Sequence, residues 1–370
     1  MIPDPALPPT LPGRYYADPA VYALEQDRIF GSMWVCAGRA EDVPRPGHAC
    51  TSVAGESLIV ACDRSGERRT FYNVCRHRGA RLCSEPRGHG LSLRCPYHAW
   101  TYGLDGRLLG APMLPQLVAH GFDPASAALE PVATEAWQGM LWVKLSREPG
   151  SVADQHAPQI DARFHGDPVL ARYRLGELRA GHSLEYEVAA NWKLLIENFM
   201  ECSHCGPMHP ELCRVVPSFR DGVGSFLQHD RGVELAPGIE AFSRTGRRVR
   251  PPLPGLDAHH ARQIHAVVLL PNVLLLLVPD HVLFFLLSPR AADRTHVRCD
   301  WLFDPAALAA PGFDPQDAVA LFDTVNRQDW RVVELTQQSM GSRGWRGGVL
   351  APSERQIRAF NDFVVARLTP

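Results

Sequence analysis

The sequence has almost no lysine, no excess of charge of either sign and no long apolar run. Only Lys144 and Lys193 are lysines, which we attribute to a composition bias rather than to function. The 38 basic and 40 acidic residues give a net charge of -2, so the composition indicates neither a nucleic acid nor a membrane as partner. A membrane-spanning helix needs about 20 consecutive apolar residues. The longest apolar stretch, residues 266–278, is shorter and contains Pro271 and Asn272, which predicts buried strands.

Cysteine is also sparse, with 10 residues in a chain of 370, which excludes a small disulfide-stabilised scaffold. The N-terminal residues MIPDPALPPTLPGRYY lack the basic and apolar regions of a signal peptide, so we expect a cytoplasmic protein. No G-x-G-x-x-G motif follows a predicted strand, since Gly222-Val-Gly224 lacks the third glycine. The chain therefore has no recognisable NAD or flavin domain of its own. A small molecule is the expected substrate.

The first part of the chain predicts a helix followed by a β domain. Asp18 and Pro19 supply the N-cap and first turn of a helix in a lead-in segment, residues 1–40, which we expect to pack with the C-terminal domain. Residues 41–150 contain short runs of β-branched and aromatic residues between Gly, Pro and Asp turns. This pattern predicts a small antiparallel β domain. Residues 146–168 lack periodicity, which predicts an irregular connection.

The second part, residues 151–370, predicts an α+β domain. Strands are predicted within residues 184–188 and in four runs between residues 266 and 303. Helices are predicted at residues 191–205, 314–338 and 353–368. An antiparallel sheet combined with long helices in this order is typical of the α+β class.

Four potential metal ligands fall in two short pairs within the β domain. The pairs are Cys75-Arg-His77 and Cys95-Pro-Tyr-His98. A zinc finger normally pairs Cys with Cys and His with His, whereas here each loop offers one of each. Mixed pairs suit a Rieske [2Fe-2S] centre, in which two thiolates bind one iron and two imidazoles bind the other. A zinc site, or unrelated core cysteines and surface histidines, are the alternatives.

These loops carry a family resemblance. Cys75-Arg-His77-Arg-Gly-Ala-Arg-Leu82 with Cys95-Pro-Tyr-His98-Ala-Trp100 resembles the Rieske domain of the ring-hydroxylating oxygenase α-subunit family, and the likeness extends over nearly the whole chain. Respiratory Rieske proteins carry an additional Cys beside each loop, where this chain has Ala80 and Tyr97, which favours the oxygenase type. The resemblance implies an N-terminal all-β Rieske domain followed by an α+β catalytic domain of helix-grip type.

A second group of potential ligands follows in the segment Glu201-Cys-Ser-His204-Cys-Gly-Pro-Met-His209. Gly206 and Pro207 are predicted to break the helix, so that His209 can fold back toward His204. Glu201, three residues before His204, is predicted to share its helical face. Two imidazoles with one carboxylate would form the face of a non-haem iron(II) oxygenase, which leaves positions open for O2 and substrate.

The carboxylate ligand cannot be chosen from spacing alone, and other sites compete. The C-terminal long helix offers four acidic candidates: Asp317, Asp323, Asp329 and Glu334. Competing sites are a di-iron bundle, which lacks a second Glu-x-x-His, and a zinc or redox site built from Cys202, Cys205 and His209. Core cysteines with solvated histidines are the simplest alternative. The loop histidines His259, His260 and His265 lack neighbouring ligands and are predicted to precede a strand.

The family resemblance implies which carboxylate is the third iron ligand, and it implies a path for electrons. It points to Asp329 as the third iron ligand with His204 and His209. It also implies a homotrimer, in which Glu201 carries electrons from His98 of one chain to His204 of its neighbour. Electrons from NAD(P)H would come through a separate flavin and iron-sulfur reductase, or a ferredoxin, and O2 would be the co-substrate.

The expected substrate rests on the same resemblance. The form Glu-Asn-x-x-Glu-Cys-x-His-Cys-x-x-x-His-Pro is similar to the branch containing choline and glycine betaine monooxygenases and the proline-betaine demethylase, which implies oxidative N-demethylation of a quaternary ammonium compound. Ser203 replaces the Tyr common in that branch, which is expected to alter the pocket. Aromatic residues available to hold a cation are Phe199, Phe219, Phe226, Trp301 and Trp345. The alternatives are hydroxylation or O-demethylation of an aromatic acid, and a Rieske electron carrier without catalysis.

Overall fold

The structure is a computed structural model that describes residues 7–220 and 232–369. The chain forms two compact units. Ile29–Gln155 form one, which we call the β unit, and Met1–Arg28 with His156–Pro370 form the other, which we call the helix–sheet unit. The lead-in segment up to Arg28 therefore belongs to the same unit as the C-terminal half of the chain, whereas residues 29–40 belong to the β unit. None of the described helices is both long and apolar enough to cross a bilayer.

Two short helices and a π-helical turn form the lead: α1 (Arg14–Ala17), α2 (Pro19–Glu25) and Gln26–Phe30. The Asp18 carboxylate accepts the Ala20 N–H at 2.8 Å and Pro19 occupies the first turn of α2, as the sequence predicts. Glu25, at the end of α2, is fully buried and forms an ion pair with the fully buried Lys193. This ion pair fixes the lead within the helix–sheet unit.

The β unit consists of two antiparallel sheets. Its strands and its helix are β1 (Val35–Arg39), β2 (Gly47–Val53), β3 (Glu56–Cys62), β4 (Arg68–Tyr72), β5 (Arg87–His89), β6 (Ser92–Arg94), β7 (Thr101–Gly103), β8 (Leu108–Gly110), α3 (Leu114–Ala119), β9 (Pro131–Trp137) and β10 (Met140–Lys144). One sheet has the strand order β1-β10-β9-β4-β3-β2-β5, and the other has the order β6-β7-β8. The loop after β4 carries Cys75 and His77, and the connection from β6 to β7 carries Cys95 and His98. The predicted β domain is confirmed.

Helix α4 (Val152–Phe164) occupies most of the stretch predicted to be irregular, so that prediction was wrong. At its start the Asp154 carboxylate accepts the Ser151 N–H at 2.8 Å, and Ser151 Oγ accepts the Asp154 N–H at 3.1 Å. Pro158 lies inside the helix and obscured its pattern in the sequence. Burial of Phe164 supplies the tertiary packing from which short helices gain most of their stability.

A six-stranded antiparallel sheet and several helices form the rest of the helix–sheet unit. In chain order they are α5 (Val169–Tyr173), β11 (Arg179–Val188), α6 (Trp192–Met200), α7 (Cys205–Met208), α8 (Pro210–Val215), β12 (Val233–Glu234), β13 (Gln263–Leu269), β14 (Val273–Val278), β15 (His281–Ala291), β16 (Arg294–Phe303), α9 (Pro305–Leu308), α10 (Gln316–Met340) and α11 (Arg355–Leu368). The strand order is β11-β16-β15-β14-β13-β12. Every residue of β14 is buried, in agreement with its run of Leu and Val.

Three helices pack together beside this sheet. Helix α6 contacts β15 as well as α10 and α11, and α10 also contacts β11. The predicted α+β class, with an antiparallel sheet and long helices after a β domain, is confirmed. Because α10 lies against α6, residues in the middle of α10 can reach the residues that follow the end of α6.

Candidate metal centres

Two loops of the β unit share one backbone pattern. In each loop the N–H of the cysteine donates to the carbonyl group five residues later, and the N–H four residues later donates back to the cysteine carbonyl group. The N···O distances are 2.8 Å for Cys75–Ala80, 3.0 Å for Gly79–Cys75, 2.8 Å for Cys95–Trp100 and 3.1 Å for Ala99–Cys95. Gly79 and Ala99 occupy the same position in the two loops and both have positive φ, 73° and 54°. The repeated turn aims each Cys and His pair in the same way.

The side chains of these loops separate into an inner and an outer pair. Cys75 and Cys95 are buried, whereas His77 is exposed and His98 is half-buried. The two imidazole rings lie 4.7 Å apart at 79°. His98 Nδ1 is buried and has no hydrogen-bond partner among the described residues. Two buried thiols, two outer imidazoles and one buried ring nitrogen without a partner fit a two-iron cluster with sulfur ligands inside and nitrogen ligands outside.

Tyr102 and Trp100 support this group, and the sequence analysis assigned neither of them a role there. The Tyr102 hydroxyl accepts the Arg76 N–H at 3.1 Å, so its own proton is free to reach Cys75 Sγ at 3.3 Å. The indole of Trp100 stacks on His77 with 4.8 Å between ring centroids. Hydrogen bonds to cluster sulfur atoms influence the reduction potential. The only sequence signal was the Trp-Thr-Tyr run directly after His98-Ala.

The second group of predicted ligands lies beyond the end of α6. The helix ends at Met200 instead of residue 205, and Glu201 is extended, with φ -132° and ψ 164°. The prediction that Glu201 and His204 share a helical face was therefore wrong, because the helix ends before Gly206 and Pro207. The turn still brings Glu201 Oε1 to 2.5 Å from His204 Nδ1. The rings of His204 and His209 lie 5.2 Å apart.

Asp329, in the middle of α10, completes this group. Its Oδ1 lies 2.9 Å from His209 Nε2 and 3.2 Å from His204 Nε2. The other acidic residues of α10 are engaged elsewhere: Asp317 pairs with Arg250, Asp323 accepts from Tyr186 and Arg327, and Glu334 accepts from the Ala189 N–H. An octahedral metal with bonds of about 2.1 Å places neighbouring ligand atoms about 3.0 Å apart. The three donor atoms therefore fit one metal ion.

The electrostatics of this group favour a cation. Burial disfavours a charged His204, but hydrogen bonds with Asp329, Cys205 and Glu201 outweigh burial and raise the pKa of His204 to about 12. Burial also opposes ionisation of Asp329, yet hydrogen bonds with His204 and His209 hold the pKa of its carboxyl group below the usual range. The group thus holds a carboxylate beside a proton, and a bound metal ion would replace that proton as the positive partner of Asp329.

Two further side chains, Gln328 and Asn198, hold these groups in place. Gln328 Oε1 lies 2.6 Å from His209 Nδ1, which leaves His209 Nε2 directed at Asp329. Asn198 Nδ2 lies 3.3 Å from His204 Nε2 and donates to Asp329 Oδ1 at 3.4 Å. Neither role was predicted from the sequence, although Gln328 precedes Asp329 directly and Asn198 follows Glu197.

Cys205 competes with Asp329 for the position of the third metal ligand. Its sulfur lies 4.0 Å from His204 Nε2, and Cys205, His204 and His209 each place a donor atom within 4.8 Å of the others. The hydrogen bond with Cys202, together with burial, raises the pKa of the Cys205 thiol. Since a thiol must lose its proton to bind a metal, and since Asp329 lies closer and is ionised, the geometry favours Asp329.

A narrow cavity of about 50 Å³ adjoins the candidate iron ligands. Its aromatic lining residues are Phe199, Phe285, Phe322 and Trp330. Of the aromatic residues considered from sequence, Phe199 lines the cavity, Phe219, Trp301 and Trp345 do not, and Phe226 lies outside the described residues. Ser203 is exposed and is not among the lining residues, so its side chain does not form this wall. The aromatic residues from β15 and α10 were missed because only the tertiary structure brings them to α6.

Comparison with known protein families gives two matches in the same order as the two units. The model of the Rieske [2Fe-2S] domain matches residues 33–122, and the model of the ring hydroxylating alpha subunit (catalytic domain) matches residues 175–369.

Curated relatives are similar over most of the chain. The glycine betaine monooxygenase oxygenase subunit of Chromohalobacter salexigens is 31% identical over 92% of this chain and 81% of its own. The carnitine monooxygenase oxygenase subunit of Escherichia coli (strain K12) is 28% identical over 91% of this chain and 86% of its own.

Solved structures share the fold over nearly the whole length. The quaternary ammonium Rieske monooxygenase CntA, in complex with L-carnitine, is 24% identical and superposes with a TM-score of 0.75 over 99% of this chain and 97% of its own. Naphthalene 1,2-dioxygenase from Rhodococcus sp. is 20% identical, with a TM-score of 0.73 over 97% and 94%. At these identities the likeness establishes the architecture alone.

Proposed function

Because the chain belongs to the ring-hydroxylating oxygenase α-subunit family, with a Rieske [2Fe-2S] domain ahead of its catalytic domain, we propose that it oxidises an N-methyl group of a small quaternary ammonium compound. It is the oxygenase component, a Rieske non-haem iron oxidoreductase that receives electrons from a separate reductase. When bound, the Rieske cluster supplies single electrons and the mononuclear iron supplies the O2 chemistry. Hydroxylation of the methyl carbon followed by loss of formaldehyde would complete an N-demethylation. We place this reaction in the cytoplasm, with NAD(P)H as the electron source.

The proposed ligands follow from the two side-chain groups. Cys75, His77, Cys95 and His98 would hold the cluster, and His204, His209 and Asp329 would hold the mononuclear iron. Three protein ligands on one face would leave positions open for O2 and substrate. Metal loading of two variants tests the third ligand: Asp329→Ala should lose the mononuclear metal, whereas Cys205→Ser should retain it. The reverse result would assign the position to Cys205.

The proposed electron path runs through Glu201. Its carboxylate contacts His204 Nδ1 and accepts the Ser203 N–H, so it is held rigidly on the side of His204 away from Nε2. In a homotrimer this carboxylate would bridge His204 and His98 of a neighbouring copy. Contact between a carboxylate and an imidazole also fixes the tautomer of the ligand.

The residues that line the cavity support a quaternary ammonium compound as the substrate. Among the residues that the structure describes there, the lining contains no Lys or Arg, and aromatic rings form much of the wall. Phe199, Phe285 and Phe322 follow one another with ring centroids 6.1 and 6.4 Å apart. Aromatic faces attract a cation, whereas the carboxylate of an aromatic acid would find no positive partner in this lining. The lining therefore favours the quaternary ammonium substrate over the aromatic acid.

A betaine also has a carboxylate, and Trp330 offers a neutral donor for it. Trp330 lines the cavity, and its indole N–H is buried without an acceptor among the described residues. A zwitterion needs less external charge than a free acid because its ammonium group partly neutralises its carboxylate. Trp330→Phe keeps the ring and removes the N–H, so it should weaken glycine betaine turnover more than choline turnover.

Formaldehyde release tests the substrate class. The purified chain, with reductase and NADH, would be given glycine betaine, carnitine, γ-butyrobetaine and choline, and in parallel 3,3-dimethylbutanoate, which replaces the ammonium by a neutral carbon, and vanillate. We expect formaldehyde from at least one quaternary ammonium compound. The neutral isostere would give a stable alcohol instead of formaldehyde, so it is followed by mass spectrometry, and we expect no hydroxylated product from it. Product from vanillate with silence on every quaternary ammonium compound would favour O-demethylation of an aromatic acid.

A Rieske electron carrier without catalysis is the alternative from another class. This alternative explains the Rieske match at residues 33–122. It does not explain the match to the catalytic domain or the group of ligands around Asp329. Iron analysis separates the two, because an oxygenase holds about three irons per chain and a carrier about two.

A further inference from the structure

Glu197 is an acidic group for which the reaction described above has no role. It lies on α6, one helical turn before Glu201, and is half-buried. The Tyr16 hydroxyl, from α1, donates to Glu197 Oε1 at 2.7 Å. This contact joins residues 181 positions apart, so the lead segment holds the carboxyl group in place.

A cavity of about 300 Å³ connects Glu197 to the candidate iron site. Its polar wall includes Glu197, Asn198, Glu201, His204, Thr336 and Glu354. Asn198, Glu201 and His204 also line the narrow cavity beside the iron ligands, so these three side chains form a wall that the two cavities share. The rest of the wall is mainly apolar, with Leu194, Val332, Val333, Leu350 and Ile357, and the cavity is large enough for several water molecules with partners among its polar groups.

The titratable groups around Glu197 come from several segments of the helix–sheet unit. Burial raises its pKa to about 7, while the Tyr16 hydrogen bond and Lys193 lower it and Glu354 raises it. Lys193 is itself paired with Glu25 of α2. On the side of α10, the described cavity wall carries only uncharged residues, Val332, Val333 and Thr336. Glu197 is thus able to gain and lose a proton near neutral pH.

The proposed reaction consumes protons inside the protein. With the substrate written as its quaternary nitrogen and one methyl group, hydroxylation follows N+–CH3 + O2 + 2 e- + 2 H+ → N+–CH2OH + H2O. Breakdown of the product then follows N+–CH2OH → tertiary amine + CH2O + H+. One oxygen atom enters the new C–O bond and the other leaves as water. Two electrons come from the reductase, so two protons must reach a site whose ligands His209 and Asp329 are largely buried.

We infer that Glu197, held by Tyr16, passes these protons from solvent to the iron site through the cavity bounded by Asn198, Glu201 and His204. The inference rests on the proposed monooxygenase reaction and not on which compound is the substrate. Glu197 takes a proton from solvent, releases it toward the shared wall and is reprotonated for the second transfer. Tyr16 is a positioning residue in this path.

The first test compares two ways of driving the same oxidation. Hydrogen peroxide brings its electrons and protons with the oxygen, as in N+–CH3 + H2O2 → N+–CH2OH + H2O, so it needs no protons from outside. Glu197→Gln should lower the kcat of NADH-driven turnover by about tenfold or more, leave KM within about twofold, and leave peroxide-driven yield within about twofold. Glu185→Gln, an exposed glutamate of β11, is the matched control and should change neither. Equal losses in both reactions would overturn the proton-delivery role.

The second test follows the carboxyl group directly and needs no substrate. Infrared spectra of the purified oxygenase across pH should contain a protonated-carboxyl C=O band that titrates near pH 7 and is lost in Glu197→Gln. Tyr16→Phe removes a hydrogen bond that lowers the pKa of Glu197, so the titration should move to higher pH, and Glu354→Gln should move it to lower pH. The fall of NADH-driven kcat with rising pH should move with the band in both variants. A band that is unchanged in Glu197→Gln would overturn the inference even if no quaternary ammonium compound is oxidised, whereas its loss without any formaldehyde release would refute only the proposed substrate.

Discussion

Replacing Gln328 by leucine removes the acceptor that fixes the orientation of His209. Gln328 Oε1 lies 2.6 Å from His209 Nδ1, and the side chain of His209 is only 1% exposed, so water cannot replace the lost partner. With Nδ1–H paired, Nε2 is the nitrogen that can offer its lone pair to a metal ion beside Asp329. Without Gln328, the buried ring can adopt the other tautomer, in which Nε2 carries the proton and cannot bind a metal.

The expected size of the effect follows from two estimates. A buried donor left without a partner costs about 1–3 kcal/mol. Loss of a group that orients a metal ligand typically lowers metal affinity by about 10- to 100-fold, which corresponds to about 1.4–2.8 kcal/mol. The two ranges agree. Gln328→Leu should therefore weaken binding of the mononuclear metal by about 10- to 100-fold, and Gln328→Glu, which keeps an acceptor at the same position, should retain it.

Titration of the metal-stripped mononuclear site with Fe(II) or Co(II) against a competing chelator measures this affinity. Circular dichroism reports that each variant is folded, and the absorption of the Rieske cluster, whose candidate ligands lie in the β unit, reports that this unit is intact. Gln338→Leu, at an exposed position of the same helix, is the matched control and should bind as tightly as the unmodified chain. Affinity of Gln328→Leu within twofold of that control would refute the role of Gln328.

Three further predictions concern electron transfer, stability and pH. Glu201→Gln should retain both metal centres in iron analysis but lose coupled product formation, and normal coupling would remove its bridging role. Lys193→Met leaves Glu25 buried and unpaired, so the free energy of unfolding in denaturant should fall by about 3–5 kcal/mol, and a second change, Glu25→Gln, should restore much of it. Burial lowers the pKa of His265 to about 4, so the unfolded chain binds more protons and stability should decline as pH falls from about 6.5 to 4. His265→Gln should flatten that decline in urea titrations at several pH values, and an unchanged decline would contradict this assignment.

Several features of the candidate sites could be predicted because the residues that form them lie close together in the sequence. Cys75 and His77 lie in one turn, and Cys95 and His98 lie in another, so their mixed pairing is visible without any knowledge of the fold. The local signals for the N-cap at Asp18 and for the buried strands likewise agree with the structure. Patterns of this kind depend on backbone geometry within a few residues. The spacing of residue types along the sequence therefore predicts them directly.

Helix boundaries predicted from local sequence patterns were wrong where long-range packing competes with the local preference. The sequence predicts a helix up to residue 205, but it ends at Met200, and Glu201 is extended so that its carboxylate can turn back toward His204. Helix α4 forms in spite of Pro158, and the side chains of Val152 and Phe164 at its two ends are buried. In both places the free energy of tertiary contacts outweighs the local preference.

By itself the sequence determined the order of the two domains and which cysteine and histidine residues are candidate metal ligands, because each depends on short spacings. Only the tertiary structure decided that Asp329 meets the two histidines, that Gln328 holds His209, and that Tyr16 reaches Glu197. These contacts join residues more than a hundred positions apart. They exist because α10 packs against α1, α6 and α8. No spacing in a linear sequence encodes which turns of two packed helices will face each other.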